Sequence, residues 1–326
     1  MRKPEYLSPT SMTKWARDPN EYYLKYLSDN PPPPDVQTQA MAVGSAFDAY
    51  VKSFLYERLF GPVDKPGNDV RFGRDAIFED QVAPHNRDFG KVAGEHCLAS
   101  YRYLGALDQL VLDLGRSQGP PQFEMKMYGN IVDATIGEVR YHVRPDLYFV
   151  NEHGARCILD WKVNGYCSMS GQSPKPGFVR GRRSGKLPWV HDDAKLATYK
   201  GIILSTKCLA DTLDEEWARQ LAVGAWVFGN PIGSDFIGIV HQLACRPNTL
   251  MLSKPVITVA EHVGFVSPEY QAKIHQEAVK MWAAITSDHV FRHLSYEDSK
   301  ALCELLDQRK ETLAGGFEVV NPALDD

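Results

Sequence analysis

Between positions 141 and 163 the chain reads YHVRPDLYFVNEHGARCILDWKV: two alternating apolar runs joined by Asn151, Glu152, His153 and Gly154. That is the turn chemistry of a β-hairpin. A turn centred on His153 sets position 146 opposite position 160, and directly opposed residues on antiparallel strands have Cβ atoms roughly 4.5–5.5 Å apart. Asp146 and Asp160 then face each other, and Lys162, two residues on, shares their face. Two carboxylates this close repel, and a hard divalent cation between them is the natural relief. Ile158, Leu159, Leu147, Tyr148 and Phe149 surround them, and acids in such apolar strands are costly unless paired or metal-bound. An ordinary surface hairpin with an Asp–Lys ion pair remains the plainer reading of the same residues, because D-x-K alone is a common string.

Upstream of the hairpin the period is helical. Ser8 and Pro9 supply a cap and a first-turn proline, and Asp18 and Pro19 repeat the device. The helices they start carry Met12 and Trp15, then Tyr22, Tyr23, Tyr26 and Leu27. Pro31 to Pro34 force an extended linker. A longer helix is expected over roughly 38–59, with Phe47, Val51, Phe54 and Leu55 on one stripe. The stretch 61–90 reads as loop and 91–114 as one amphipathic helix. From 122 the period becomes alternating, and 123–127, 131–135, 138–150 and 156–163 read as strands. Helices are expected again at 192–204, 214–222 and, with breaks, 267–314. Strands at 225–227, 236–242 and 256–261 lie between them. Helices, a strand meander, then helices predict an α/β sandwich: a central mixed β-sheet flanked by helices, with helical N- and C-terminal additions. The expected organisation is a helical segment over 1–37, the core over 38–265 and a helical region over 266–326.

Composition narrows the classes. The 326 residues, 44% apolar and 24% charged, suffice for a large soluble core. A net charge of −5 excludes a global basic field, so any anion-binding surface must be local. Six cysteines without a C-x-x-C pair argue against a disulfide framework or zinc site and for reduced thiols in the cytosol. No run approaches eighteen apolar residues, and MRKPEYLSPT has no signal-peptide core, so neither membrane spanning nor secretion is expected. No P-loop, nucleophile elbow or Rossmann turn is present.

Arg144-Pro145-Asp146, thirteen intervening residues, then Asp160-Trp161-Lys162 resembles the signature of the PD-(D/E)XK nuclease superfamily. The surroundings resemble its RecB-like and phage exonuclease branch. There an S-x-S/T helix pair comes first, matched by Ser8 to Ser11 and Asp18 to Tyr23. A G-x-x-x-H helix follows, matched by Gly44 to Asp48, and a Q-x-x-x-Y helix comes after the D/E-x-K strand, matched by Lys195 to Tyr199. Asp48 stands where many members have His, Lys195 where Gln is usual, and Asp18 where iron–sulfur members carry Cys. With no downstream cysteine cluster, no iron–sulfur cluster is expected.

The resemblance implies a restriction-endonuclease-like core and a DNA phosphodiester hydrolase. It implies Asp146, Asp160 and Lys162 as the catalytic set, with Asp48, Asp146, Asp160 and the backbone carbonyl of Trp161 holding Mg²⁺, or Mn²⁺ in its place. Oxygen-only ligation suits such ions over zinc. Lys162 would hold the attacking water or the scissile phosphate. Glu124 and Arg144 join the substrate contacts, Glu124 also having the plainer reading of an edge-strand charge. Lys195 and Tyr199 belong to that group through the last motif. The loop over 164–191 carries Lys175, Arg180, Arg182, Arg183 and Lys186 and no acid, which suits a phosphate backbone; Phe178 and Trp189 could stack on bases. The candidate partners are DNA and a single-strand annealing or recombination protein, in a bacterial or phage-infected cytosol. A structure-specific or single-strand endonuclease on the same scaffold, or a non-catalytic DNA-binding protein, are the alternatives.

Overall fold

A computed structural model describes residues 2–133, 137–168, 179–180, 189–190, 196–228, 236–247 and 257–287. The chain divides into two compact units: residues 1–36, 130–140 and 276–326, and residues 37–129 and 141–275.

In the first unit, α1 (Pro9–Arg17) starts as its sequence predicts. The Ser8 hydroxyl accepts from the Ser11 N–H, and the Ser11 hydroxyl accepts from the Ser8 N–H, closing a capping box. Asp18 accepts from the N–H groups of Asn20 and Glu21 and caps α2 (Pro19–Tyr22), which runs on into a π-helical turn over Tyr23–Leu27. Tyr22 stacks on Tyr26 and meets the Trp15 ring edge-on, so these aromatics are core packing.

The second unit is built on a sheet. Its helices begin with α3 (Gln39–Phe60), capped by Thr38. The stretch 61–90 is not loop. It holds α4 (Arg74–Gln81) between two 3₁₀ turns, and Ile77 and Phe78 bury against α3, packing that the polar composition conceals. The single helix expected over 91–114 is two, α5 (Arg87–Tyr103) and α6 (Ala106–Gly115), broken where Gly105 takes φ +78°.

The strands are β1 (Gln122–Phe123), β2 (Met127–Asp133), β3 (Gly137–Val143), β4 (Leu147–Val150), β5 (Arg156–Asn164), β6 (Val179–Arg180), β7 (Trp189–Val190), β8 (Leu196–Tyr199) and β9 (Ile202–Ser205). After α7 (Leu209–Thr212) and α8 (Glu215–Val227) come β10 (Ile237–Cys245), β11 (Ile257–Phe265) and α9 (Pro268–Thr286). The main sheet has the order β1-β4-β5-β10-β11-β6-β7. It is mixed: β5 and β10 run parallel, while the other neighbours are antiparallel. A parallel pair needs a crossover, and the segment containing α7 and α8 supplies it. β2 with β3, and β8 with β9, form separate two-stranded ribbons.

Three further expectations are corrected. The strand over 138–150 is two, because Pro145 has no N–H to give a ladder. The helix over 192–204 is the β8–β9 hairpin, and the strand over 225–227 is the last turn of α8. Within the basic stretch 164–191, β6 and β7 extend the sheet edge. The helix expected beyond 287 lies outside the described residues.

Both faces of the sheet are covered. Leu147, Phe149, Cys157, Leu159 and Trp161 pack with Phe47, Val51 and Leu55 of α3 and with residues of α5 and α6. On the opposite face a Cβ at Gly224 of α8 would stand 2.6 Å from Ile158. β5 is therefore buried along most of its length, and every polar group it carries must be accounted for. Among the described residues no helix is long and apolar enough to cross a membrane.

Candidate functional site

The hairpin has the register its sequence predicts. Leu147 pairs with Leu159, Tyr148 with Ile158, Phe149 with Cys157 and Val150 with Arg156, so the turn centres on position 153 and position 146 falls opposite position 160. Asp146 itself stands in the bend before β4, outside the pleat. Its side chain is thus free of strand alternation. One carboxylate oxygen, Oδ2, accepts the Trp161 N–H at 3.0 Å, and the other, Oδ1, accepts from the Lys52 ammonium at 3.0 Å.

Lys52 is the centre of the arrangement. It lies one turn beyond Asp48 on α3, its side chain is 0% exposed, and its Nζ also donates to Asp48 Oδ2 at 2.6 Å and to Glu124 Oε1. Glu124 follows β1 at φ +51°, a left-handed conformation uncommon for a residue with a side chain. Its other oxygen accepts from Arg144 Nε at 2.7 Å. Asp48, Glu124 and Asp146 each offer an oxygen within 4.8 Å of the others.

Asp160 stands beside this cluster rather than in it. It is 1% exposed. Its Oδ1 accepts the Asp146 N–H at 3.4 Å, and its Oδ2 has no hydrogen-bond partner among the described residues. The sequence pairing of Asp146 with Asp160 becomes a backbone contact, and Glu124 takes the third place among the clustered carboxylates. Lys162 donates to Gln220 on α8 at 3.3 Å and lines the same cleft of about 640 Å³ as Asp48, Glu124, Arg144 and Asp146. Of Trp161, it is the N–H that touches this group.

The electrostatics follow from burial against charge. Burial pushes Asp48 up to about 7, against the pull of Lys52 and helped by the negative charges of Asp146 and Glu124. Burial likewise raises Asp160 to about 6, with Lys162 opposing and Asp146 adding. Asp146 is also subject to burial, but the charges of Lys52 and Lys162 and the Trp161 N–H outweigh it and hold its carboxyl below the usual range. Burial would lower Lys52, yet three carboxylates keep it firmly charged.

The donor set suits a hard divalent cation: it is all oxygen, with no thiolate or imidazole. Two buried oxygens, Asp48 Oδ1 and Asp160 Oδ2, lack partners among the described residues, and orphaned acceptors of this kind are costly. Coordination of a cation by the Asp48 group would relieve the first of them.

Other expected residues fall elsewhere or beyond view. Tyr199 lies on β8 and packs edge-on against Phe265, so the helix that was to carry it is absent and it does not line the cleft. Arg180 and Trp189 are described as strand backbone only. Lys175, Phe178, Arg182, Arg183, Lys186 and Lys195 lie outside the described residues. The residue that sequence reasoning passed over is Lys52. The signal was a cation one helical turn after a candidate ligand, inside the apolar run Ala49 to Leu55, where residues four apart share a face.

No family model and no curated protein matches the chain. A solved structure titled "Crystal structure of SSO0001" is 11% identical and covers 83% of this chain and 84% of that one, with a TM-score of 0.26. A likeness at that level carries no argument about activity.

Proposed function

We propose that this chain is a metal-dependent nuclease that hydrolyses DNA phosphodiester bonds on a restriction-endonuclease-like core. The observation that carries the reading is the cleft in which Asp48, Glu124 and Asp146 gather their oxygens within 4.8 Å while Arg144 and Lys162 line the same walls. Arg144 and Asp146 of one arm of the signature and Trp161 and Lys162 of the other line that cleft.

Asp48, Glu124 and Asp146 would hold Mg²⁺ or Mn²⁺. Such an ion, when bound, neutralises phosphate charge and makes hydroxide accessible near neutral pH. Asp160 fixes the bend by receiving the Asp146 N–H. Lys162, which donates to Gln220, would hold a water or a phosphate oxygen. Arg144 carries a planar fork suited to phosphate, oriented here by Glu124. Cys-free, oxygen-only ligation leaves an iron–sulfur cluster outside the proposal.

The end-cutting reading, a phage-type or RecB-like exonuclease of recombination, replication or repair, is the leading form. It implies a cytosolic enzyme working beside a single-strand annealing or recombination protein. An endonuclease on the same scaffold is the alternative, and one assay addresses both. Linear and covalently closed circular DNA are incubated with Mg²⁺, with and without EDTA. The expected outcome is EDTA-sensitive loss of linear DNA with circles spared; cleavage of circles turns the reading to the endonuclease. Asp146→Ala and Lys162→Ala should each lower the rate by at least ~10²-fold while leaving the fold intact. Wild-type turnover in either variant rejects the site.

A further inference from the structure

Lys52 has no part in the signature, yet it is the best-connected side chain in the cleft. It is fully buried, and an ammonium has three N–H donors. Here there are three carboxylate acceptors, one each from Asp48, Glu124 and Asp146. The group is saturated. Its stem leaves the middle of a 22-residue helix that packs on the sheet, so it cannot swing out to solvent without breaking all three contacts and exposing buried surface.

We infer that Lys52 is a built-in countercharge that limits this site to one divalent cation. The inference rests on the metal-site reading above. Four carboxylates meet here: Asp48, Glu124, Asp146 and the adjoining Asp160. Lys52 and Arg144 are paired directly with members of that set. Lys162 lines the same cleft and its charge acts on both Asp146 and Asp160, so one negative charge remains, which a single divalent ion more than offsets. A second ion would leave three positive charges in excess in a largely buried place, where unbalanced charge is heavily penalised. Lys52 also occupies one oxygen of each clustered acid, which leaves each acid a single further oxygen to offer a cation. Lys52 is thus a positioning residue for the metal these acids would hold, and Lys162, which donates to Gln220 and pairs with none of the acids, would be the cation that meets phosphate.

The test counts ions rather than turnover. The full-length protein is titrated with Mn²⁺ alone, free Mn²⁺ being read by electron paramagnetic resonance. The wild type should bind about one ion per chain. Lys52→Met should bind about two, the first at least ~10-fold tighter than in the wild type, since a unit charge in contact with the ligands is gone. Should that variant fail to fold, Lys52→Met with Asp48→Asn restores the charge balance and should return to about one. Two ions on the wild type, an unchanged count and affinity in Lys52→Met, or two ions on the double variant overturns the inference. A wild type that cuts DNA with Mg²⁺ but binds two ions sinks this inference alone. No Mn²⁺ bound by any form removes the metal-site reading with it.

Discussion

Asp160 shows what a single residue contributes when its environment works against it. In an unfolded chain its carboxyl would titrate near 3.8; in the fold burial lifts it to about 6. The folded state therefore holds more protons than the unfolded state between those values, and its stability falls as pH rises through that window. The loss is complete above about 6, and a shift of this size corresponds to roughly 2–3 kcal/mol. Asp160→Asn keeps an oxygen for the Asp146 N–H and puts an amide where the orphaned Oδ2 stands. It should be more stable than the wild type by about 1–3 kcal/mol at pH 7–8, measured by urea denaturation, and lose that advantage below about pH 4. It should also lose metal-dependent activity, the trade expected where a site is strained for function. An equal stability difference at both pH values removes the electrostatic account of Asp160. This residue was legible in the sequence as an acid in an apolar strand. Lys52 was legible only in hindsight, because a lysine in a helix is ordinarily a solvated one, and its burial is decided by Glu124 and Asp146, 72 and 94 positions away.

Elements record the same division between local and distant causes. The hairpin register came straight from alternation and turn chemistry, both local. So did the caps of α1 and α2. What failed were segments whose state is set by partners. The stretch 192–204 reads as helix from sequence, yet Lys200 and Gly201 both take positive φ, +44° and +76°, and Tyr199 pairs with Ile202 across them. That is the two-residue hairpin turn, in which both central residues must be left-handed. α4 was hidden by its polar composition and exists because Ile77 and Phe78 meet α3. The packing of α3 on α5 is the closest of these contacts and can be tested. A Cβ at Gly94 would lie 2.8 Å from the Ala46 Cβ and 2.9 Å from its backbone carbon. Backbone cannot step aside as a side-chain tip can, so Gly94→Ala should force the helices apart and cost about 1–3 kcal/mol. Asp48 and Lys52 ride on α3, so Mn²⁺ affinity should fall in the same variant. A thermal midpoint and an affinity both equal to the wild type would show that the helix pair yields without disturbing the site.

At the scale of the whole molecule the nuclease reading must explain how a chain of net charge −5 would attract a polyanion. The cleft is lined by the acids Asp48, Asp80, Glu124 and Asp146 against the bases Arg144 and Lys162, so by itself it repels phosphate. Two sources of attraction remain, and they respond to different variables. Basic residues in 164–191 would attract through counterion release, which weakens with salt by a slope of about 0.7–0.9 per phosphate contact. A divalent ion in the cleft inverts the local sign and is removed by chelation. A fluorescent single-stranded oligonucleotide should accordingly bind at least ~10-fold more tightly with Ca²⁺ than with EDTA at fixed ionic strength, because charge in a partly buried cleft is screened less than on the surface. Asp146→Asn should lose most of that gain while keeping its salt slope. Arg182→Ala with Arg183→Ala should do the reverse, flattening the slope by roughly 1–2 while keeping the calcium response. Equal wild-type binding in Ca²⁺ and EDTA would mean that no phosphate enters the acidic cleft. The basic stretch would then account for all the affinity, leaving a DNA-binding protein rather than a nuclease.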